Sequence, residues 1–213
     1  MMANDLIFYT NPMSRGRTIR WMLEEVGASY ETVLLDYASS MKDPDYLAVN
    51  PMGKVPAIVH HGKVVTEGAA ICAYLADAFP EAGLAPPLAD RADYYRWLFF
   101  AAGPVEQAFT NKSLGVTPSD EQKRMVGYGC FEQTIDTLEA AVAATPYVTG
   151  DSFTAADVYV GAQIGFMLQF GMLEPRPAFV AYWNRISARD TFKRAAAVDD
   201  ALIAAAQEAA AEG

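Results

Sequence analysis

The spacing of apolar positions changes character near residue 80. Leu6 to Tyr9 form a short apolar run, a polar loop follows, and Ile19, Met22, Leu23 and Val26 then recur at helical spacing until Gly27 ends the pattern. A second short run over residues 31–35 completes strand, helix, strand, an order that makes the two strands parallel through a right-handed crossover. Beyond an irregular polar segment, VPAIVH and KVVT flank His61 and Gly62, the spacing of an antiparallel hairpin. Ile71, Tyr74, Leu75 and Ala78 share one face of the next helix, and Pro80 stands just past its end as a stop signal. The order of elements up to residue 80 is βαβ then ββα.

FPEAGLAPPLAD concentrates proline and small residues, and within it residues 81–89 read as a linker between a first domain (1–80) and a second (90–213). From there only helical periodicity remains. YYRWLFFAA begins one helix, Phe131, Ile135, Leu138 and Val142 mark another, and Val160, Ile164, Met167 and Leu168 a third. In SFTAADV, Thr154 and Asp157 have the spacing of a capping box, with Phe153 where a hydrophobic staple residue sits, which reads as a helix-nucleating device without chemistry. The predicted fold class is an α/β first domain followed by an all-α second domain.

Charge narrows the partners. In 213 residues, 16 Lys and Arg stand against 26 Asp and Glu, a formal net charge of −10, so a broad surface for nucleic acid or anionic lipid is excluded and an anionic ligand has to be met locally. Cys72 and Cys130 have no CxxC spacing, which argues against a disulfide framework and a zinc site, and suits a reducing compartment. The start MMANDLIFYT lacks the basic and apolar regions of a signal peptide, and the run from Val158 to Leu173, interrupted by Gln163 and Gln169, is shorter than a membrane span needs. The expected location is the cytoplasm, with no membrane partner.

Pro56 is the first residue to suggest chemistry, because a proline opening a strand gives no ladder hydrogen bond. A cis Val55–Pro56 bond would turn the Val55 N–H and C=O away from the sheet, toward the backbone of a bound peptide; a trans edge proline is the alternative. The surrounding NPMGKVPAIVHHGKVVTEGAAICAYLAD, residues 50–77, resembles the cytosolic glutathione transferase family in the order of its parts: NPxGKVP before a hairpin, an acidic residue opening the next helix, and AIxxYL within it. The resemblance extends to TIRWMLEEVG and to the FTAADV box, and so spans nearly the whole chain.

That resemblance implies a thioredoxin-like domain that holds glutathione as co-substrate, without a metal, and a helical domain, with a hydrophobic electrophile as second substrate and a homodimer as the assembly. Lys42 and Lys54 match positions that hold the glycyl carboxylate, the Val55 backbone beside Pro56 pairs with the tripeptide, and Glu67 meets the γ-glutamyl ammonium group. Gly68 departs from the serine that many members carry, so its N–H remains for the γ-glutamyl carboxylate but the hydroxyl does not. The loop TNPMSRGR offers Tyr9, Asn11 and Ser14, with Asn11 a candidate contact to glutathione. One alignment makes Ser14, at the start of the first helix, the hydroxyl that steadies the thiolate; another assigns that part to Tyr9. Either works on a thiol whose ordinary pKa is about 8.5, since only the thiolate attacks. Arg15 and Arg17 read as ion-pair partners or as positive potential near the sulfur, and Cys72 as a small core residue. Tyr94, Trp97, Phe100 and Phe109 are the candidates for an electrophile pocket. Peroxidase, dehalogenase, isomerase or ether-cleaving chemistry would use the same thiol site, and a binding module that has lost catalysis is the alternative class.

Overall fold

A computed structural model describes residues 5–212. The chain divides into two compact units, one built from the residues up to Gly83 together with those from Ala188 onward, the other from Leu84 to Ser187.

The first unit holds a four-stranded mixed sheet of order β2-β1-β3-β4, with β1 at Leu6–Thr10, β2 at Glu31–Leu34, β3 at Ala57–His60 and β4 at Lys63–Thr66. β1 runs parallel to β2 and antiparallel to β3, and β3 and β4 form the expected hairpin. His61 (φ 50°) and Gly62 (φ 75°) make its two-residue turn, the left-handed pair that suits the twist of a hairpin. Along β1, Leu6, Phe8 and Thr10 are buried while Ile7 and Tyr9 are only partly so. Helix α1 (Gly16–Val26) ends in the left-handed Gly27, as its sequence required.

The segment read as irregular contains a 3-10 turn at Ser40–Lys42 and a short helix, α2 (Pro44–Val49). Its periodicity was illegible because, of its six residues, only Tyr46 is buried. Helix α3 (Gly68–Ala78) buries Ile71, Cys72, Leu75 and Ala76.

In the second unit, α4 (Ala92–Phe100) widens into a π-turn at Ala101–Val105 and continues as α5 (Glu106–Ser113). Pro104, which has no N–H to give a regular α-turn, accounts for the irregularity. Helices α6 (Phe131–Ala144), α7 (Ala155–Gln169) and α8 (Pro177–Ser187) complete the unit. The capping box forms at the start of α7. The buried Asp157 carboxylate accepts the Thr154 N–H (2.9 Å), the Thr154 hydroxyl (3.0 Å), the Val148 N–H (2.8 Å) and the Tyr182 hydroxyl (2.8 Å). Burial nonetheless pushes the Asp157 carboxyl above its ordinary pKa.

The last helix, α9 (Asp190–Glu212), returns to the first unit and packs along α1. Charge joins the two helices. Arg20 Nε meets Asp199 Oδ1 at 2.7 Å with both residues 1% exposed. Arg189 grips Glu25 through two hydrogen bonds of 2.7 Å, Thr191 donates to the same carboxylate, and Arg17 meets Asp200 at 2.7 Å on the surface. The Phe192 ring lies edge-on to Trp21.

Candidate active site

The strand register gathers the candidate residues at one end of the sheet. Tyr9 lies opposite Ala57, and Ala57 opposite Thr66, so the loop after β1, the Val55–Pro56 step before β3 and the Glu67–Gly68 step after β4 start from adjacent strands.

The motif NPMGKVP builds a rigid entry into β3. The buried Asn50 accepts the Met52 N–H (3.1 Å) and donates to the Lys54 carbonyl (2.8 Å), which also accepts the Tyr46 hydroxyl at 2.5 Å. Burial raises the Tyr46 pKa to about 12 and keeps that hydroxyl a donor. Gly53 sits at φ 57°, and a Cβ there would stand 2.8 Å from the Met41 carbonyl oxygen and 2.9 Å from Lys42 Nζ, so only glycine fits. Lys42 Nζ donates to the Gly53 carbonyl at 2.8 Å, which makes Lys42 first a brace of this segment, with ammonium protons left for a ligand. The Lys54 side chain is exposed, Val55 packs on a cluster of Leu35, Met41, Tyr46 and Ala57, and the Val55–Pro56 bond is cis.

Glu67 immediately precedes α3 at φ 68°, ψ 117°, a backbone conformation unusual for a residue with a side chain. Its carbonyl accepts the Ile71 N–H at 2.9 Å, its side chain is exposed, and its carboxylate does not cap the helix. Gly68 is the first helical residue, so its N–H belongs to the positive end of α3.

Asn11 is buried and used at both ends of its amide: Nδ2 donates to the Leu35 carbonyl (2.8 Å) and Oδ1 accepts the Met13 N–H (2.9 Å). It ties the loop to the cluster that carries Val55. Ser14 Oγ donates to the Asn11 carbonyl (2.6 Å) and accepts the Gly16 N–H (2.9 Å) at the threshold of α1. Gly16 lets this turn press on β1, since a Cβ there would lie 2.0 Å from Thr10 Oγ1. The Tyr9 ring packs on the same cluster as Val55, with its centroid 5.4 Å from that of Tyr46. Tyr46 and Asn50, which hold the Lys54 carbonyl, went unassigned in the sequence. Asn50 was visible in the NP pair, whereas Tyr46 lay in the segment without periodicity.

Cys72 is fully buried and its thiol pKa is pushed far up, which excludes it as a nucleophile. In the second unit, Tyr94, Trp97 and Phe109 are core residues, and only Phe100 of the four aromatic candidates is half-buried. Among the described residues no group of His, Cys, Asp and Glu is arranged to hold a metal ion, and no helix is long and apolar enough to cross a membrane.

A thioredoxin-like mixed sheet with its helices, followed by an all-helical domain, defines the class of protein. Residues 4–77 match the N-terminal domain of the glutathione S-transferase family and residues 119–190 its C-terminal domain. The chain is 30% identical to glutathione S-transferase 3 of Zea mays over 191 residues, 83% of this chain and 86% of that one. Among solved structures it is similar to a glutathione transferase from Methylococcus capsulatus (28% identity, TM-score 0.76, covering 92% of this chain and 98% of the other). It is also similar to a sphingomonad glutathione S-transferase complexed with glutathione (29% identity, TM-score 0.74, covering 91% and 98%). The chain belongs to the glutathione S-transferase family and is a transferase enzyme.

Proposed function

We propose that the enzyme conjugates glutathione to hydrophobic electrophiles in a detoxifying role in the cytoplasm, with Ser14 as the hydroxyl that steadies the attacking sulfur. The observation that carries this reading is the convergence at one sheet end of Ser14, the Lys42–Val55 segment and the Glu67–Gly68 step. The chemistry of these groups suits the ligand: lysine ammonium groups for a carboxylate, an exposed carboxylate at Glu67 for an ammonium, and the start of α3 for a second carboxylate. Bound there, glutathione supplies the thiol.

Ser14 sits before an eleven-residue helix whose positive end favours negative charge. Its hydroxyl exchanges the neutral Asn11 carbonyl for the sulfur, because an anion is the stronger acceptor. Hydroxyl and helix end together contribute roughly 1.5 to 3 kcal/mol, enough to lower a thiol pKa by about one to two units. Asn11 is a positioning residue that fixes the carbonyl Ser14 leaves. Tyr9, packed on Tyr46, supports the sheet end beneath the site.

On α4, Tyr95 and Phe99 form an exposed apolar stripe one turn apart, with Phe99 71% exposed, which supports a homodimer. The test begins with retention on immobilised glutathione and conjugation of a chloronitrobenzene electrophile. Ser14→Ala is expected to move the pH midpoint of conjugation upward by about one unit while Tyr9→Phe leaves it in place. No retention, or the reverse pattern in the two variants, refutes the reading.

A further inference from the structure

Within the second unit, between α5 and the first turn of α6, lies a cavity of about 200 Å³. Its walls include Lys112, Val116, Lys123, Tyr128, Cys130 and Phe131, and nothing in the proposed transfer chemistry uses them. We infer that this cavity binds a small aromatic carboxylate, a ligand separate from glutathione.

Three features set that chemistry. Phe131 is held edge-on by Phe109 with ring centroids 5.0 Å apart, and together with Val116 it gives the cavity a fixed apolar wall. The Lys112 ammonium stands 3.6 Å from the Phe131 ring centroid, and among the described residues no carboxylate pairs with it. In a chain of net charge −10, a cation that rests on a ring and has no paired carboxylate among the described residues keeps most of its attraction for an anion. Lys123 brings a second positive charge, held at 2.7 Å by an exposed Asp120, a pairing too weak to remove it from competition.

The start of α6 adds to this. No side chain caps that helix, whose fourteen residues point their first N–H groups toward the end that Cys130 and Phe131 contribute to the wall. Glu132 also reaches the cavity and offsets part of the positive charge, so a single carboxylate fits better than a dianion. The modest volume limits the apolar part to one ring.

Cys130 supplies the readout, since it lines the cavity and is partly exposed while Cys72 is buried with its thiol pKa far raised. Benzoate is titrated into the full chain by calorimetry, and the rate of thiol modification is followed at the same concentrations, with benzyl alcohol as the uncharged counterpart. The expected result is saturable benzoate binding that slows modification of Cys130, weakened about fivefold in Lys112→Gln, a change of an exposed side chain. Benzyl alcohol is expected to protect poorly, and saturating glutathione to leave the benzoate effect unchanged. Absence of saturable binding, equal protection by benzyl alcohol, an unaltered Lys112→Gln variant, or displacement of benzoate by glutathione overturns the proposal.

Discussion

Replacing Glu67 by glycine is expected to make the protein more stable and a poorer binder of glutathione at once. Glu67 holds φ 68°, ψ 117°, and a side chain in such a sparsely populated region costs about 1 to 3 kcal/mol. Glycine relieves that strain but brings about 0.5 to 1 kcal/mol of extra backbone entropy to be lost on folding, leaving a net gain of about 1 kcal/mol. For a chain of 213 residues this corresponds to a rise of roughly 2 to 4 °C in Tm. Glu67→Ala is the control, since it removes the carboxylate and keeps the Cβ and its strain. Scanning calorimetry reads the stability, and titration calorimetry with glutathione reads the affinity. Both variants are expected to bind several-fold more weakly, the size of one ion pair at an exposed position. If Glu67→Gly is no more stable than Glu67→Ala, the strain argument fails; if either binds glutathione as the parent does, the role given to the carboxylate fails.

Other consequences can be measured separately. Gly68→Ser is expected to tighten glutathione binding by on the order of tenfold, by restoring a hydroxyl at the start of α3, and calorimetry checks it. Asp157→Ala removes the buried acceptor shared by four donors, and is expected to cost about 3 to 5 kcal/mol, visible as a lower urea midpoint, with Asp157→Asn costing less. Burial, and then the neighbouring His61, depress the His60 pKa, so below about pH 6.5 the unfolded chain binds the proton that the folded one refuses. Stability is therefore expected to fall as the pH drops from 7 to 5. His60→Phe, which keeps an aromatic ring beside Phe79, should flatten that dependence in urea titrations at the two pH values.

Local signals made much of this legible from residues alone. The His61–Gly62 turn, the Gly27 stop and the Thr154–Asp157 box each act within a few positions of where they are written, and the structure shows all three. The NPMGKVP motif pointed to a ligand, but its internal purpose was hidden, because the bonds from Asn50 and Tyr46 to the Lys54 carbonyl run through side chains that periodicity ignores. Helix α2 escaped for the related reason that Tyr46 is its only buried residue. Asn11, read as a ligand contact, uses both ends of its amide to hold its own loop, a bond to residue 35 that no local pattern announces. The pairing of Arg20 with Asp199 was out of reach, since 179 residues separate two charges that only the folded chain brings together.

That same pairing orders events on the ribosome. The unit that carries the candidate glutathione site is discontinuous along the chain, and α1 exposes Arg20 and Trp21 long before Asp199 and Phe192 have been synthesised. At about 5 to 20 residues per second, the interval between Arg20 and Asp199 is roughly 10 to 40 s. For most of that interval the residues of the sheet have been synthesised but those of the helix that neutralises the buried guanidinium have not. The first unit to emerge is therefore among the last to finish, and the closing stretch of the messenger RNA governs when the opening stretch of the protein becomes competent.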